Sequence, residues 1–236
     1  NAINEVTAGS GVVNVQQGTY AVSSTISVPA TKNGITLQGR VASNQATAST
    51  TTTGALNAPK LVAASSFTGA VLSIAMDDVT VSGLEINTVN GGTANSAISV
   101  ATDSSFNNIV IDNNTIQIDS ADVAVNIGDG ATAQDIIVTD NFVKTMGGGV
   151  GTALMVADDG TVTADSAGGD LIERATVTGN SMTFANIELN AVRALADVDI
   201  SSNTFDHGNG VMVAKPTAGA GKISTMTVNS NLFKGG

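Results

Sequence analysis

Six segments of this chain repeat one pattern: an apolar residue, two small or polar residues, Asn, any residue, and a second apolar residue. They read VSGLEI (81–86), IDNNTI (111–116), VTDNFV (138–143), VTGNSM (177–182), ISSNTF (200–205) and VNSNLF (228–233), and the first has Leu84 in place of Asn. The shortest separation, 23 residues from Asn180 to Asn203, sets an upper bound on the length of the repeating unit. The longer separations indicate insertions in loops.

A second series of short apolar segments lies between these repeats: AISV (97–100), VAVNI (123–127), ALMVA (153–157), NAVRAL (190–195) and VMVA (211–214). Alternation and β-branching in both series predict strands of three to five residues, and no segment has convincing helical periodicity. Three short strands per unit, repeated about seven times, are typical of a β-solenoid in which each coil pairs with the next. We therefore predict one all-β domain over 1–236, with long inserted loops at 42–60 and 157–170.

The repeated asparagine has a physical role in such a stack. A turn position recurs one strand spacing away, about 4.8 Å, in the next coil. Asn tolerates the left-handed conformation of a sharp turn, and an inward amide can bond to the amide above it. We predict an internal ladder of Asn114, Asn141, Asn180, Asn203 and Asn231. Gly39, Gly83 and Gly179 lie one position earlier, where backbone freedom is useful.

The segments ITLQG, VTVSGLEI and VDISSNTF resemble right-handed parallel β-helix proteins of the pectin-lyase-like superfamily. The opening GSGVVNVQQGTYAVSSTISVP (10–29) is similar to the usual first coil of that superfamily. The resemblance covers nearly the whole chain and implies a single-stranded right-handed parallel β-helix. It implies little about function, because the superfamily includes polysaccharide lyases, hydrolases, esterases, phage tailspikes and adhesins.

Composition excludes several classes of partner and site. The net charge of −11 argues against nucleic acid and anionic membranes. The absence of Cys excludes disulfides and thiolate metal sites, and no apolar run is long enough to insert into a membrane. A charged fraction of 12% leaves the surface to Ser, Thr, Asn and Gly, which favours an extracellular, cell-surface or virion-surface location. The chain begins Asn1-Ala2-Ile3, which we interpret as a removed signal peptide or a fragment.

The candidate catalytic residues are Asp158, Asp159 and His207. Polygalacturonase-like members of the superfamily use an Asp pair, then a Gly-His segment, then an Arg-Ile-Lys segment. This chain has Asp158-Asp159, then DHGNG (206–210), then GKIS (221–224), and it lacks Arg-Ile-Lys. His207 also follows the asparagine-bearing strand instead of the sheet that carries catalytic groups in that family, so it is also interpreted as a turn residue.

Other charged residues give no clear catalytic arrangement. Asp77-Asp78 precedes a strand, and lyase chemistry would need a strong positive charge from one of the arginines, Arg40, Arg174 and Arg193. The outward positions of the second series are predicted to be Ser99, Met155 and Met212, with Arg193 as the charged exception. Such a face favours packing over the binding of uronate.

Structural calcium is the one cofactor considered. Asp158, Asp159, Asp165 and Asp170 lie in one inserted loop, and Asp129 and Asp135 flank GATAQ. Calcium prefers several oxygen ligands, but neither loop matches an EF-hand or a glycine-rich calcium repeat. Solvated acidic loops are the competing interpretation, and no other cofactor is predicted.

Three functions remain. The main hypothesis is an extracellular structural or adhesive module without catalysis, a surface-layer, fibre, adhesin or phage-fibre component. It is motivated by sparse charge and by a repeat that runs to the last residues, so that self-assembly or flanking domains would cover the final coil. The alternative is a polysaccharide-binding or polysaccharide-degrading β-helix. Ice binding would need regular Thr rows on a flat face, and the variable unit lengths argue against it.

Overall fold

The computed structural model describes residues 11–29, 31, 33–39, 58–89, 96–100, 106–127, 132–156, 171–189, 194–213 and 222–235. Over these ranges the chain is all-β, built of 23 strands in three parallel sheets. The described part contains no helix that is long and apolar enough to span a membrane.

Sheet A has eight strands in the order β1-β4-β7-β10-β13-β16-β19-β22. Their bounds are β1 Gly11–Val15, β4 Ile35–Gly39, β7 Val79–Ser82, β10 Phe106–Asp112, β13 Thr132–Thr139, β16 Leu171–Thr178, β19 Ala194–Ser201 and β22 Lys222–Asn229.

Sheet B also has eight strands, in the order β2-β5-β8-β11-β14-β17-β20-β23. Their bounds are β2 Thr19–Val22, β5 Lys60–Ala63, β8 Glu85–Asn87, β11 Thr115–Asp119, β14 Phe142–Met146, β17 Ser181–Thr183, β20 Thr204–Asp206 and β23 Leu232–Lys234.

Sheet C has seven strands in the order β21-β18-β15-β12-β9-β6-β3. Their bounds are β3 Ile26–Val28, β6 Ala70–Ile74, β9 Ser96–Val100, β12 Val123–Ile127, β15 Gly151–Val156, β18 Ala185–Leu189 and β21 Val211–Val213.

Consecutive strands visit the three sheets in turn, and each strand pairs in parallel with the strand one coil later. This is a right-handed parallel β-helix with three strands per coil, so the predicted fold is confirmed. The resemblance to parallel β-helix proteins is thereby confirmed at the level of fold.

The core is a column of aliphatic side chains. Alternate residues of each strand point inward, and Ile109, Ile111, Ile116 and Ile118 are completely buried. Full burial of each such side chain contributes about 1.5–3 kcal/mol. Because the same inward position recurs in each coil, like residues stack on like along the helix axis.

The corner between sheets A and B carries a row of residues with positive φ: Gly83, Asn113, Asp140, Gly179, Ser202 and Ser230. Each lies immediately before a ladder position. The left-handed conformation therefore belongs to the residue before the ladder asparagine, and our assignment of it to the asparagine itself was wrong. Gly39 has no positive φ, but a Cβ at Gly39 would overlap the carbonyl oxygen of Gly83.

Two boundaries predicted from sequence were also wrong. The third strand of its coil is Ala185–Leu189, whose alternate residues Ala185, Ile187 and Leu189 are buried, and not 190–195. Residues 190–193 lie outside the described residues, and Ala194 and Leu195 begin β19 of sheet A. Lys60, placed in the inserted loop 42–60, begins β5 instead.

Candidate functional site

The five asparagines of the predicted ladder are hydrogen-bonded to one another inside the corner between sheets A and B. The backbone N–H and the Nδ2 of Asn114 both donate to Oδ1 of Asn141, at 2.9 and 3.1 Å. The same pair of bonds joins Asn141 to Asn180, Asn180 to Asn203, and Asn203 to Asn231. Four of the five are almost fully buried, and Asn231 is half-buried.

Each ladder amide is also bonded to the preceding coil. Nδ2 of Asn141 donates to the carbonyl of Ile111 at 2.8 Å, and Nδ2 of Asn180 donates to the carbonyl of Val138 at 2.9 Å. Leu84 has no side-chain amide, so it makes only the backbone bond of the ladder: its N–H donates to Oδ1 of Asn114 at 3.1 Å. Burial of these amides is therefore compensated by hydrogen bonds, and the ladder is a structural feature.

Several charged candidates lie outside the described residues. These are Asp158, Asp159, Asp165 and Asp170 of the inserted loop, together with Arg40, Asp129 and Arg193. In the part of the chain that the structure describes, no group of three or more His, Asp or Glu residues is placed to hold a metal ion.

Arg174 and Asp135 form an ion pair on sheet A. Nε and Nη2 of Arg174 donate to the two carboxylate oxygens of Asp135 at 2.7 and 2.9 Å. The hydrogen bond from Arg174 lowers the pKa of Asp135, and the same contact raises the pKa of Arg174. Arg174 lies within β16, and its guanidinium is engaged by this carboxylate.

Asp77 and Asp78 are held by the next coil. Oδ1 of Asp77 accepts from the N–H of Asn107 at 2.9 Å, and Oδ1 of Asp78 accepts from Nδ2 of Asn108 at the same distance. Both contacts join neighbouring coils at the start of sheet A, so this acid pair has a structural role.

The outer face of sheet C is the face for which the sequence predicts packing instead of uronate binding. The register places Ser99, Met155 and Met212 in one row, as predicted. The charged position in that row is Glu188, which lies between Met155 and Met212. Oε1 of Glu188 accepts from the hydroxyl of Thr152 at 3.0 Å.

His207 lies at the corner between sheets B and C, directly after β20. Its ring packs in a tilted arrangement against Phe184 of the preceding coil, with ring centroids 5.0 Å apart and an interplanar angle of 33°. Its Nδ1 is 2.7 Å from Oδ1 of Asp206. Its backbone N–H donates to the carbonyl of Lys234 at 3.0 Å, as expected of a turn residue.

We call Phe184, His207 and Asp206 the ring corner. Phe184 and His207 have φ of 53° and 58°, in the left-handed region. A bulky aromatic residue is a genuine outlier there, and such strain costs on the order of 1–3 kcal/mol. The turn thus directs both rings outward, and Phe184 is 36% exposed.

A polar row of sheet B borders the ring corner. The register aligns Lys144, Thr183, Asp206 and Lys234 on successive coils, and the two rings follow Thr183 and Asp206 directly in sequence. Neighbours in the row are about 4.8 Å apart. The corner therefore combines an exposed aromatic surface with ammonium, hydroxyl and carboxylate groups.

The sequence identified His207 but not its partner Phe184. The ring pair depends on the register of β17 with β20, which aligns Thr183 with Asp206. The one signal in the sequence was that an aromatic residue follows each of these two strands.

No family model and no curated protein matches this chain. Among solved structures, the chain is similar to a PL6 family alginate lyase, AlyGC, with 14% sequence identity and a TM-score of 0.44. The similarity covers 98% of this chain and 38% of the lyase chain, so the present chain spans well under half the length of that protein.

Proposed function

We propose that this chain is an extracellular adhesive β-helix module that binds polysaccharide without cleaving it. The observation that supports the proposal is the ring corner, where Phe184, with a strained backbone, and His207 form an exposed ring pair beside Asp206. Backbone strain at outward-pointing side chains is a common property of ligand sites.

The chemistry of the corner suits a sugar ring. An aromatic face packs against the apolar face of a pyranose, while a few convergent polar groups bond its hydroxyls and fix its orientation. Asp206 and Thr183 supply an acceptor and a hydroxyl, and Lys144 and Lys234 supply donors on either side.

A neutral polysaccharide is the favoured ligand class. The chain carries a net charge of −11, which repels polyanions such as polyuronates. The two lysines beside Asp206 are local donors and do not reverse that charge.

The groups of the ring corner support binding without cleavage. His207 is bonded to its sequence neighbour Asp206 and packed against Phe184. Glycoside hydrolysis generally uses two carboxylates on opposite sides of the scissile bond, and the ring corner contributes one.

The test uses the full chain on a glycan array, followed by calorimetry with the best ligand. Phe184→Gly removes the ring but suits the positive φ, so the relieved strain offsets part of the lost packing. We expect this variant to stay folded and to bind about tenfold more weakly, a loss of about 1.4 kcal/mol.

Phe142→Ala is the matched control, because Phe142 is a half-buried phenylalanine on the outer face of sheet B. It should bind like the unmodified chain. Equal binding by both variants would contradict the assignment of the corner. Release of sugar fragments from a bound polysaccharide would contradict the absence of cleavage.

A further inference from the structure

The outer face of sheet A carries two long rows between the corner that holds the asparagine ladder and the outward row of Gln134, Glu173, Ala196 and Ser224. The first of these two rows contains Val12, Thr36, Thr80, Val110, Ile137, Thr176, Asp199 and Thr227. The second row contains Asn14, Gln38, Ser82, Asp112, Thr139, Thr178, Ser201 and Asn229. We call these two rows the hydroxyl face.

The register of this face is constant although the repeat length is not. Val110 pairs with Ile137, Ile137 with Thr176, and Thr176 with Asp199, despite different numbers of residues between them. The extra residues of the longer repeats lie outside the sheet. Variable repeat length is therefore compatible with rows of side chains at constant spacing, and it does not argue against ice binding.

The spacing is that of a two-dimensional lattice. Neighbours within a row are about 4.8 Å apart, and the two rows are separated by two residues of one strand, about 6.6 Å. Eight parallel strands extend this array along the helix axis. These repeats are comparable to those of oxygen atoms on a face of hexagonal ice.

The side chains of the hydroxyl face are hydroxyl, amide and aliphatic, with two carboxylates, Asp112 and Asp199. These two rows contain neither a basic nor an aromatic side chain, and the Arg174–Asp135 ion pair lies outside them on the same sheet. By contrast, the outer rows of sheet B contain Lys60, Glu85 and Lys144. Long charged side chains order water around themselves, whereas threonine places a hydroxyl and a methyl group at a fixed height.

The same composition argues against other partners. Nucleic acid would need basic residues, and the centre of a protein interface is enriched in aromatic residues, Met and Arg, none of which these rows contain. A polysaccharide site would favour an aromatic platform, which the ring corner has and this face lacks. A rigid surface of regularly spaced oxygen atoms is the partner that fits.

We propose that the hydroxyl face binds ice. The inference is independent of the proposed polysaccharide site, because it rests on sheet A, whereas that site lies at the corner of sheets B and C. Threonine and serine hydroxyls hold water molecules in lattice positions, and the methyl groups of Thr, Val and Ile fill the spaces between them.

Two measurements on the full chain test this: partition into a growing ice fraction, and the gap between melting and freezing temperatures. Thr178→Lys places a long charged side chain in the centre of the face, and we expect partition to fall about tenfold. Thr183→Lys, on the outer face of sheet B in the same coil, should leave partition unchanged.

Asp112→Thr provides a gain of function, because it replaces a charge within the second row by the favoured residue. This variant should partition more strongly than the unmodified chain, a result that loss of folding cannot produce. Phe184→Gly should leave ice partition unchanged, which separates this proposal from the polysaccharide site.

Three results would overturn the proposal. The unmodified chain could remain in the liquid fraction, Thr178→Lys and Thr183→Lys could partition equally, or Asp112→Thr could fail to increase partition. Retention on crystalline cellulose or chitin that is lost in Thr178→Lys, without ice partition, would assign the face to a crystalline polysaccharide instead.

Discussion

Each interior asparagine of the ladder satisfies groups that belong to three coils. Asn141 accepts from the N–H of Asn114, donates to the carbonyl of Ile111, and donates to Oδ1 of Asn180. In a buried corner these partners have no water as a substitute, so one side chain determines whether several neighbouring groups are paired. The single residue type is therefore required by its environment and not by its turn conformation.

Asn141→Ala should destabilise the chain by about 2–4 kcal/mol, because it leaves a buried N–H and a buried carbonyl without partners. Chemical denaturation with an unchanged m-value would measure the difference. Asn229→Ala, on the exposed outer face of sheet A, should change the free energy of unfolding by less than about 0.5 kcal/mol. Equal effects of the two substitutions would contradict this account of the ladder.

At the scale of the element, the corners hold rows of left-handed residues in register. One such row begins with Asp78, directly before β7, and continues within the later strands of sheet A at Asn108, Asp135, Arg174, Asp197 and Thr225. Most are short polar residues, which tolerate this conformation, and their side chains bond across coils as in Asp135 to Arg174. The rows let the chain change direction at the same height in each coil, so the strands that follow remain paired.

Gly179→Ala should cost more stability than Gly148→Ala, although both glycines have positive φ. A Cβ at Gly179 would overlap the carboxylate of Asp140, whereas a Cβ at Gly148 would have no neighbour within 4 Å. The φ penalty of about 1 kcal/mol is common to both, so the difference in melting temperature measures the contact alone. Equal losses would show that Asp140 moves aside freely.

The second row of the hydroxyl face contains a carboxylate that burial disfavours. Partial burial, followed by repulsion from Asp140, raises the pKa of Asp112 above its usual 3.8. The ionised form is then less favourable in the folded chain than in the unfolded chain. This penalty is absent below the usual pKa and develops as the pH rises through the raised pKa of the folded state.

Asp112→Asn should therefore stabilise the chain slightly at pH 7 and have no such effect at acidic pH below the usual pKa. Thermal melts of both chains across this range would measure the difference. A variant that is equally stabilised at all pH values would contradict the electrostatic cause.

The sequence was sufficient for those features that recur with the repeat. The apolar pattern around Asn114 and its equivalents predicts the three-strand coil, and the shared position of the asparagines predicts which side chains face one another. Features that depend on the alignment of unlike segments were missed. The third strand was predicted at 190–195 instead of Ala185–Leu189, because NAVRAL has a similar apolar content. The pairing of Phe184 with His207 was missed because it depends on the register of two three-residue strands.

At the scale of the whole molecule, acidic groups greatly outnumber basic ones. The net charge of −11 favours solubility, but repulsion among the acidic side chains destabilises the folded chain. The described ion pairs, such as Lys60 with Glu85 at 2.5 Å and Arg174 with Asp135, oppose this repulsion locally. The salt dependence of the melting temperature shows whether general repulsion or the ion pairs have the larger effect on stability.

We expect the melting temperature to rise as ionic strength increases from about 0.01 M to about 0.15 M, because the Debye length falls from about 30 Å to about 8 Å. Exposed ion pairs contribute little, so the loss of their attraction should be smaller than the relief of general repulsion. Differential scanning calorimetry in sodium chloride would measure this. A falling melting temperature would show that the ion pairs outweigh the net charge.

The ladder repeats the same donor and acceptor directions at each rung, and all three sheets are parallel, so the stack has a polarity. Its two ends present different patterns of groups. Because a head-to-head contact would pair the edge strands antiparallel, a second stack continues the parallel pairing only head to tail. A contact of that kind is heterologous, and it extends into an open filament instead of closing as a twofold dimer.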